Sequence, residues 1–153
     1  MGQNPNQFSQ NAEVGDIDLQ GGASNVMSVL AAAGTATLPA GTAVKMADVA
    51  GKMPQVTKTT ADADEVLGFV VHNFKKGSYE AGEALEIAIK GTIMYMTAGA
   101  AIARGAEVEY DVSEEKVITE AGTNPKVGWA LDKAAADGDL IRVYIETPYA
   151  FAR

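Results

Sequence analysis

The side chains that could perform chemistry in this sequence are mainly carboxylates. Glu107, Glu109 and Asp111 alternate along one segment, and two carboxyl groups about 5 to 10 Å apart form the catalytic pair of glycosidases. Such an enzyme also needs an aromatic-lined cleft, yet the chain has only one Trp, five Tyr and four Phe. We therefore interpret these carboxylates as a solvent-exposed strand face and place a small acidic hydrolase last among the candidate functions.

Other catalytic and metal-binding patterns are missing from the sequence. The chain has no cysteine and a single histidine, His72, which excludes cysteine-based zinc sites and sites that need several imidazoles. His72 ends an apolar stretch, so we expect a structural position for it. No phosphate-binding loop, nucleophile elbow or dinucleotide motif occurs. The sequence therefore predicts no enzyme, no cofactor and no metal site.

Length, charge and hydropathy narrow the class of protein further. The 153 residues suffice for one domain with a core. The 20 acidic side chains exceed the 12 basic ones, for a net charge of −8, which disfavours binding to nucleic acid. No apolar run approaches the roughly 18 residues that a membrane span needs, and no secretory signal is recognisable. We expect a protein that binds neither nucleic acid nor membrane.

Alternating apolar and polar residues predict an all-β fold. The clearest case is residues 106–112, and about eight such segments follow one another with turns roughly every ten residues. Two nearly continuous apolar runs, 66–71 and 127–131, predict central strands covered on both faces. The pattern favours a compact β-sandwich or a small β-barrel. The other predicted strands are 42–46, 55–58, 85–90, 92–97, 116–119 and 141–146.

Glycines mark the turns between these strands. Gly41, Gly82, Gly105 and Gly138 each stand two to three residues before an aliphatic strand position, where a glycine can adopt positive φ without steric cost. A second repeat relates Leu67-Gly68-Phe69 to Val127-Gly128-Trp129. The unequal spacing of the two copies indicates at most an old duplication.

The first 37 residues differ in composition from the β domain at 38–153. They are rich in Gln, Asn, Gly, Ser and Ala, which predicts an extended arm, either a flexible tail or a segment that docks on a neighbouring subunit. Within it, residues 24–33 are expected to form a short helix, capped by Ser24 and ended by Gly34. Apolar residues of the arm are the predicted contacts with a partner: Phe8, Val26, Met27, Val29 and Leu30.

Two further groups of apolar residues are candidates for subunit contacts. If Ile93 and Tyr95 point into the core, Met94 and Met96 are exposed, and flexible methionines are common at protein interfaces. The alternative is that both faces of this strand are buried inside the domain. At the carboxyl end, two aromatic residues follow the last strand and could pack on the domain or on a neighbour. They are Tyr149 and Phe151.

Three segments resemble the small capsid cement, or decoration, proteins of tailed bacteriophages. They read KGSYEAGEALEIAIKGTI at 76–93, AGAAIARGAEV at 98–108 and VGWALDKAAADGDLIRV at 127–143, and the likeness covers about residues 38 to 147. It implies a non-enzymatic virion protein that binds the exterior of the phage head. Its implied partners are the major capsid protein, whose subunits it bridges to stabilise the expanded shell, and itself, as a homodimer or homotrimer. The implied location is the capsid exterior, after assembly in the host cytoplasm.

A receptor- or carbohydrate-binding β-module of a phage particle is the competing interpretation. Such a module predicts an aromatic platform for its ligand. The sequence offers one tryptophan, Trp129, and few tyrosines, so we rank this interpretation second.

Overall fold

The computed structural model describes residues 12–18, 24–73 and 75–147, and these residues form the predicted all-β fold. Twelve strands occur in this part of the chain, nine of them at the predicted positions. The three that the sequence analysis missed are β1, β2 and β6. The strands are β1 Val26–Ala31, β2 Leu38–Pro39, β3 Ala43–Met46, β4 Gln55–Lys58, β5 Gly68–Val70, β6 Ser78–Tyr79, β7 Ala84–Ala88, β8 Ile93–Thr97, β9 Glu107–Asp111, β10 Lys116–Thr119, β11 Lys126–Ala130 and β12 Leu140–Ile145.

Five strands close into a small barrel in the order β1-β4-β3-β5-β7. Antiparallel pairing of β1 with β7, from Val26 opposite Ala88 to Leu30 opposite Ala84, completes the circle. A barrel this small is filled by its own side chains. The interior is aliphatic and almost fully excluded from solvent, and it contains Val29, Val44, Val56, Val70, Leu85 and Ile87. The short strands β2 and β6 pair with each other.

The other five strands form an antiparallel sheet in the order β10-β9-β11-β12-β8. Its inner face shares a core with residues on the outside of the barrel, among them Ala43, Phe69 and Ala88. The ring of Phe69 on β5 meets that of Tyr110 on β9 edge to face, with 5.5 Å between the ring centroids. Strand β5 is therefore covered on both faces as predicted, because alternate side chains enter the barrel and the shared core.

The helix expected at residues 24–33 is wrong, because this segment is strand β1. Met27, Val29 and Ala31 alternate toward the barrel interior, a period of two that the helical interpretation overlooked. A helix this short is marginal alone, whereas the backbone of β1 pairs with both β7 and β4. Tertiary pairing thus outweighs the local cap signals at Ser24 and Gly34.

The four turn glycines all have positive φ, between 79° and 90°. They lie at turns that precede β3, β7, β9 and β12, as the sequence pattern requires. At Gly41 a Cβ atom would also overlap the side chain of Val14. Glycine is therefore needed there for close packing as well as for backbone conformation.

Candidate interaction surfaces

The predicted contact residues of the arm lie in different environments. Val26 is 39% exposed at the start of β1, whereas Val29 is fully buried inside the barrel. Met27 and Leu30 are half-buried. Val29 therefore serves the barrel core and is wrong as a surface contact. Three of the predicted contacts lie outside the described residues: Phe8, Tyr149 and Phe151.

Strand β8 turns its methionines inward. Met94 and Met96 are 0% and 2% exposed and stand opposite Val143 and Ile141 on β12. Tyr95, between them, lies on the outer face and is half-buried. The orientation that would expose the methionines is therefore wrong, and both side chains fill the core shared with the barrel.

Residues 12–18, which we call the N-terminal strap, lie along the free edge of β8. Three backbone hydrogen bonds of 2.8 Å hold it there: the Gly15 N–H donates to the Tyr95 carbonyl, the Tyr95 N–H to the Asp16 carbonyl, and the Asp18 N–H to the Ile93 carbonyl. Ile17 stands opposite Met94 and packs on the shared core. This part of the predicted arm therefore docks on its own domain and covers a sheet edge.

The strap also touches the barrel. The His72 N–H donates to the Gly15 carbonyl at 2.9 Å. Gly15 has φ of 87°, and a Cβ atom there would lie 2.8 Å from the Gly41 nitrogen and 2.9 Å from the Ala40 Cβ. The strap therefore fits between the edge of the sheet and the barrel only because residue 15 has no side chain.

The side chain of His72 fastens the strap. Its Nδ1 lies 2.7 Å from an Asp16 carboxylate oxygen, and its Nε2 lies 3.3 Å from one of Glu13. Both ring nitrogens thus face carboxylates of the strap, an arrangement that positions the segment. His72 occupies a structural position, as the sequence analysis expected.

Arg142 on β12 holds the other end of the strap. Its Nε and Nη2 donate to the two carboxylate oxygens of Asp132 at 2.8 and 2.7 Å, and its Nη1 donates to Asp18 at 3.1 Å. Such a bidentate pair is strong and directional. The hydrogen bonds from Arg142 hold the pKa of Asp132 below its usual value, against the opposing effect of burial.

Glu109 is fully buried, so its predicted place on a solvent-exposed face is wrong. The loop after β10 folds over it, and the carboxylate accepts hydrogen bonds from the Gly122 N–H at 3.0 Å, Asn124 Nδ2 at 2.7 Å and Thr123 Oγ1 at 3.2 Å. Burial alone would raise the pKa of Glu109, but bonds from Asn124 and from backbone N–H groups hold it below its usual value. The buried charge therefore orders this loop.

The outer face of the sheet exposes the single tryptophan. Trp129 is 42% exposed, and it stands opposite Tyr144 on β12 and Glu107 on β9. The prediction that β11 is covered on both faces is therefore wrong at this residue. We call Trp129 and Tyr144, with Tyr95 on β8, the aromatic face.

A second exposed apolar surface lies where β3 ends and the loop to β4 begins. Met46 and Val49 are 54% and 52% exposed. The loop returns beside β1, where the Leu30 N–H donates to the Pro54 carbonyl at 2.9 Å. This loop was not among the predicted contacts, although its concentration of Met, Val and Ala between two strands was a signal. Such side chains can contact a protein partner.

Comparison with known proteins identifies the family. Residues 3–146 match the family described as "Structural cement protein (E217 gp24/Pam3 gp6)". The chain belongs to this family of phage structural cement proteins. Among solved structures, the fold resembles "The crystal structure of head fiber gp8.5 N base in bacteriophage phi29", with a TM-score of 0.53 and 13% identity over 80% of this chain and 95% of that one. No curated protein matches the chain.

The family match extends over every strand and the N-terminal strap. It establishes a structural role in the phage capsid and confirms the resemblance found in the sequence. At 13% identity the likeness to the head fiber base concerns the fold alone. No described helix of this cement protein is long and apolar enough to cross a membrane.

A pocket of about 360 Å³ lies on the outside of the barrel of the cement protein. Ser28, Val71, His72, Tyr79 and Glu86 are among its lining residues. Both ring nitrogens of His72 already face strap carboxylates, so the histidine does not present a base to the pocket. Within the described ranges, no three His, Cys, Asp or Glu side chains are grouped to hold a metal ion.

Proposed function

We infer that this cement protein binds the exterior of the phage head and stabilises the expanded capsid by bridging neighbouring major capsid protein subunits. The family match carries this proposal. A ligand that binds only the assembled, expanded lattice stabilises it by linkage. Contacts repeated over many equivalent sites, or made by a homodimer or homotrimer that spans several subunits, add avidity. The protein acts without catalysis, joins the shell in the host cytoplasm and remains on the virion.

The end of β3 and the loop that joins it to β4 form the proposed contact with the capsid. Met46 and Val49 are the two most exposed large apolar side chains among the described residues. On a chain with a net charge of −8, exposed apolar groups favour association with protein over nucleic acid. Leu30 on β1 extends this surface, because β1 pairs with β4 and the loop ends beside it. Val26, exposed at the start of the same strand, is a further proposed contact.

Co-sedimentation with purified shells tests the proposal. We expect saturable binding to expanded shells and none to unexpanded ones. The double variant Met46→Ser and Val49→Ser should weaken binding about tenfold, because apolar contact area is lost. The matched control is Leu140→Ser, which removes an aliphatic side chain that is 36% exposed on the other sheet.

A chain lacking residues 1–11 separates the terminal segment from the strap, because β1 and the strap stay intact. If its binding is weakened, the proposed contact extends to the segment that contains Phe8. Absence of binding to either type of shell would contradict the cement function of the chain itself. Equal loss in the loop variant and in Leu140→Ser would contradict the proposed contact surface.

A further inference from the structure

We propose that the aromatic face binds a neutral polysaccharide, a function beyond the capsid role. The observation is the exposure of Trp129 on the central strand of an antiparallel sheet, with Tyr144 directly opposite on the next strand. Directly opposed residues on one face have their Cβ atoms about 5 Å apart. Two aromatic side chains are thus placed side by side, where the apolar faces of consecutive sugar rings can pack.

The polar groups around these rings suit sugar hydroxyls. The indole N–H of Trp129 is a donor, the Tyr144 hydroxyl is both donor and acceptor, and the carboxylate of Glu107 is an acceptor. Glu107 stands opposite Trp129 on β9, and its side chain is 47% exposed. Among the described residues, neither the indole nor the phenol has a hydrogen-bond partner.

The charges on this face select a neutral ligand. Lys126 is paired with both Glu107 and Glu120, at 3.9 and 3.2 Å. Arg142 is held between Asp132 and Asp18. Each of these two cations therefore already has two carboxylate partners, and neither remains for a phosphate, sulfate or uronate group. An acidic polymer would be repelled by the excess of carboxylates.

The far end of the face has the same negative character. Burial raises the pKa of Tyr95, and the nearby carboxylates raise it further despite Arg142. Asp18 is the largest of these carboxylate effects. At its β8 end the aromatic face therefore combines an apolar ring with nearby carboxylates. This combination favours uncharged sugars over anionic ones.

A decoration protein presents its outward surfaces in many copies. Weak binding of a polysaccharide by each copy would become strong attachment of the whole particle. The barrel loop with Met46 and Val49 belongs to a different part of the fold, so both surfaces can be occupied together. The aromatic face does not depend on the capsid proposal, because the isolated chain can be tested for it.

Affinity electrophoresis of the isolated full-length chain tests the proposal. The gels contain a soluble β-1,3-glucan, a galactomannan, dextran or, as the anionic comparison, alginate. We expect at least one of the three neutral polymers to retard the protein and alginate not to do so. Because Trp129 is the single tryptophan, the same polymer should also change the intrinsic fluorescence.

Variants assign the binding to the face. Trp129→Ala should weaken retardation about tenfold or more, as truncation of a central aromatic contact does, and Tyr144→Ala should weaken it severalfold. Trp129→Phe should retain part of the binding because a ring remains. Leu140→Ala, at the other end of β12, should bind as the wild type does.

Several results would overturn the polysaccharide proposal. They are failure of all three neutral polymers to retard the protein, equal retardation by alginate, or undiminished binding by Trp129→Ala. If Trp129→Ala instead loses binding to expanded shells, the aromatic face is a capsid contact. If the protein binds expanded shells but none of the polymers, the cement function stands and only the polysaccharide proposal is refuted.

Discussion

The barrel and the sheet contain the same three-residue motif with different outcomes. Leu67-Gly68-Phe69 enters β5 of the barrel, and Val127-Gly128-Trp129 lies in β11 of the sheet. A Cβ atom at Gly68 would overlap the carbonyl oxygen of Ala88, and one at Gly128 would overlap that of Tyr144. Both glycines thus permit close approach of a neighbouring strand. Phe69 is nevertheless fully buried, whereas Trp129 is 42% exposed.

The difference arises from what lies beyond each strand. The sheet packs against the outside of β5, so Phe69 meets Tyr110 in the shared core. No described element covers the outer face of β11, so Trp129 faces solvent. A local motif therefore determines how closely two strands approach, while the placement of the next layer determines whether its aromatic residue stabilises the fold or forms a surface.

Replacing the buried aromatic residue should have the largest effect on stability. Phe69→Ala removes a ring from the junction of barrel and sheet, and Phe-to-Ala changes in cores cost about 3–5 kcal/mol. Urea denaturation followed by circular dichroism measures the change in the free energy of unfolding. Because the two regions share this core, we expect one transition at a lower urea concentration.

The matched variant is Trp129→Ala, which should lower the free energy of unfolding by about 1 kcal/mol or less, as expected for a partly exposed site. Comparable losses in the two variants would show that the aromatic face is packed as tightly as the core. Two separate transitions in Phe69→Ala would show that barrel and sheet unfold independently.

Carboxylates of the sheet give a second comparison of this kind. Glu109→Gln puts an amide where the loop directs donors, so the free energy of unfolding should fall by about 2–3 kcal/mol at pH 7. Glu107→Gln, two residues away on the same strand, should change it little, because that side chain is 47% exposed and makes only a surface ion pair. Chemical denaturation of both variants measures the difference.

The pKa of Glu109 gives this difference a defined pH dependence. Since its folded pKa lies below the ordinary value of 4.5, the stabilising charge is fully effective above 4.5. Its contribution is lost as the pH falls from there through the lowered folded pKa. The difference in the free energy of unfolding between the wild type and Glu109→Gln should therefore become smaller in acid. A difference in the free energy of unfolding that does not change with pH would contradict the role of the ionised carboxylate.

The sequence predicted most strands because alternation directly records which face of a strand is buried. The alternation predicted β9 correctly but placed Glu109 on a solvent-exposed face. The reason is that alternation shows on which face of a strand a residue lies, but not whether a loop covers that face. The donors of that loop, at Gly122 and Asn124, lie 13 and 15 positions along the chain. No local pattern links them to the carboxylate.

Local signals also failed where long-range pairing decides the structure. Strand β1 pairs with β7, nearly sixty residues away, so the cap-like residues around it misled the helix prediction. Met94 and Met96 could have faced either way until the partners on β12 were known. The exposed Trp129 was hidden in an apolar run, because β11 has a solvent-facing side that composition alone does not show.

The N-terminal strap joins the two compared regions, and changing it should cost less stability than Phe69→Ala or Glu109→Gln. Gly15→Ala places a methyl group within 2.9 Å of the backbone and side chain at Gly41 and Ala40, at a φ that costs a non-glycine residue about 1 kcal/mol or more. We expect the strap to detach locally, with faster amide hydrogen exchange at position 15, at Asp18 and at Tyr95. Global stability should fall by about 2 kcal/mol.

Gly34→Ala is the control that separates backbone strain from lost docking. Gly34 has φ of 79°, close to the 87° of Gly15, but a Cβ atom there has no neighbour within 4 Å. The variant Gly34→Ala should therefore lose about 1 kcal/mol of stability through its backbone conformation, without faster amide hydrogen exchange along β8. If both variants lose the same stability and neither shows faster exchange along β8, the effect of Gly15→Ala is explained by backbone conformation alone. If Gly15→Ala alone exposes the amide of Tyr95, the strap is what closes the sheet edge beside the barrel.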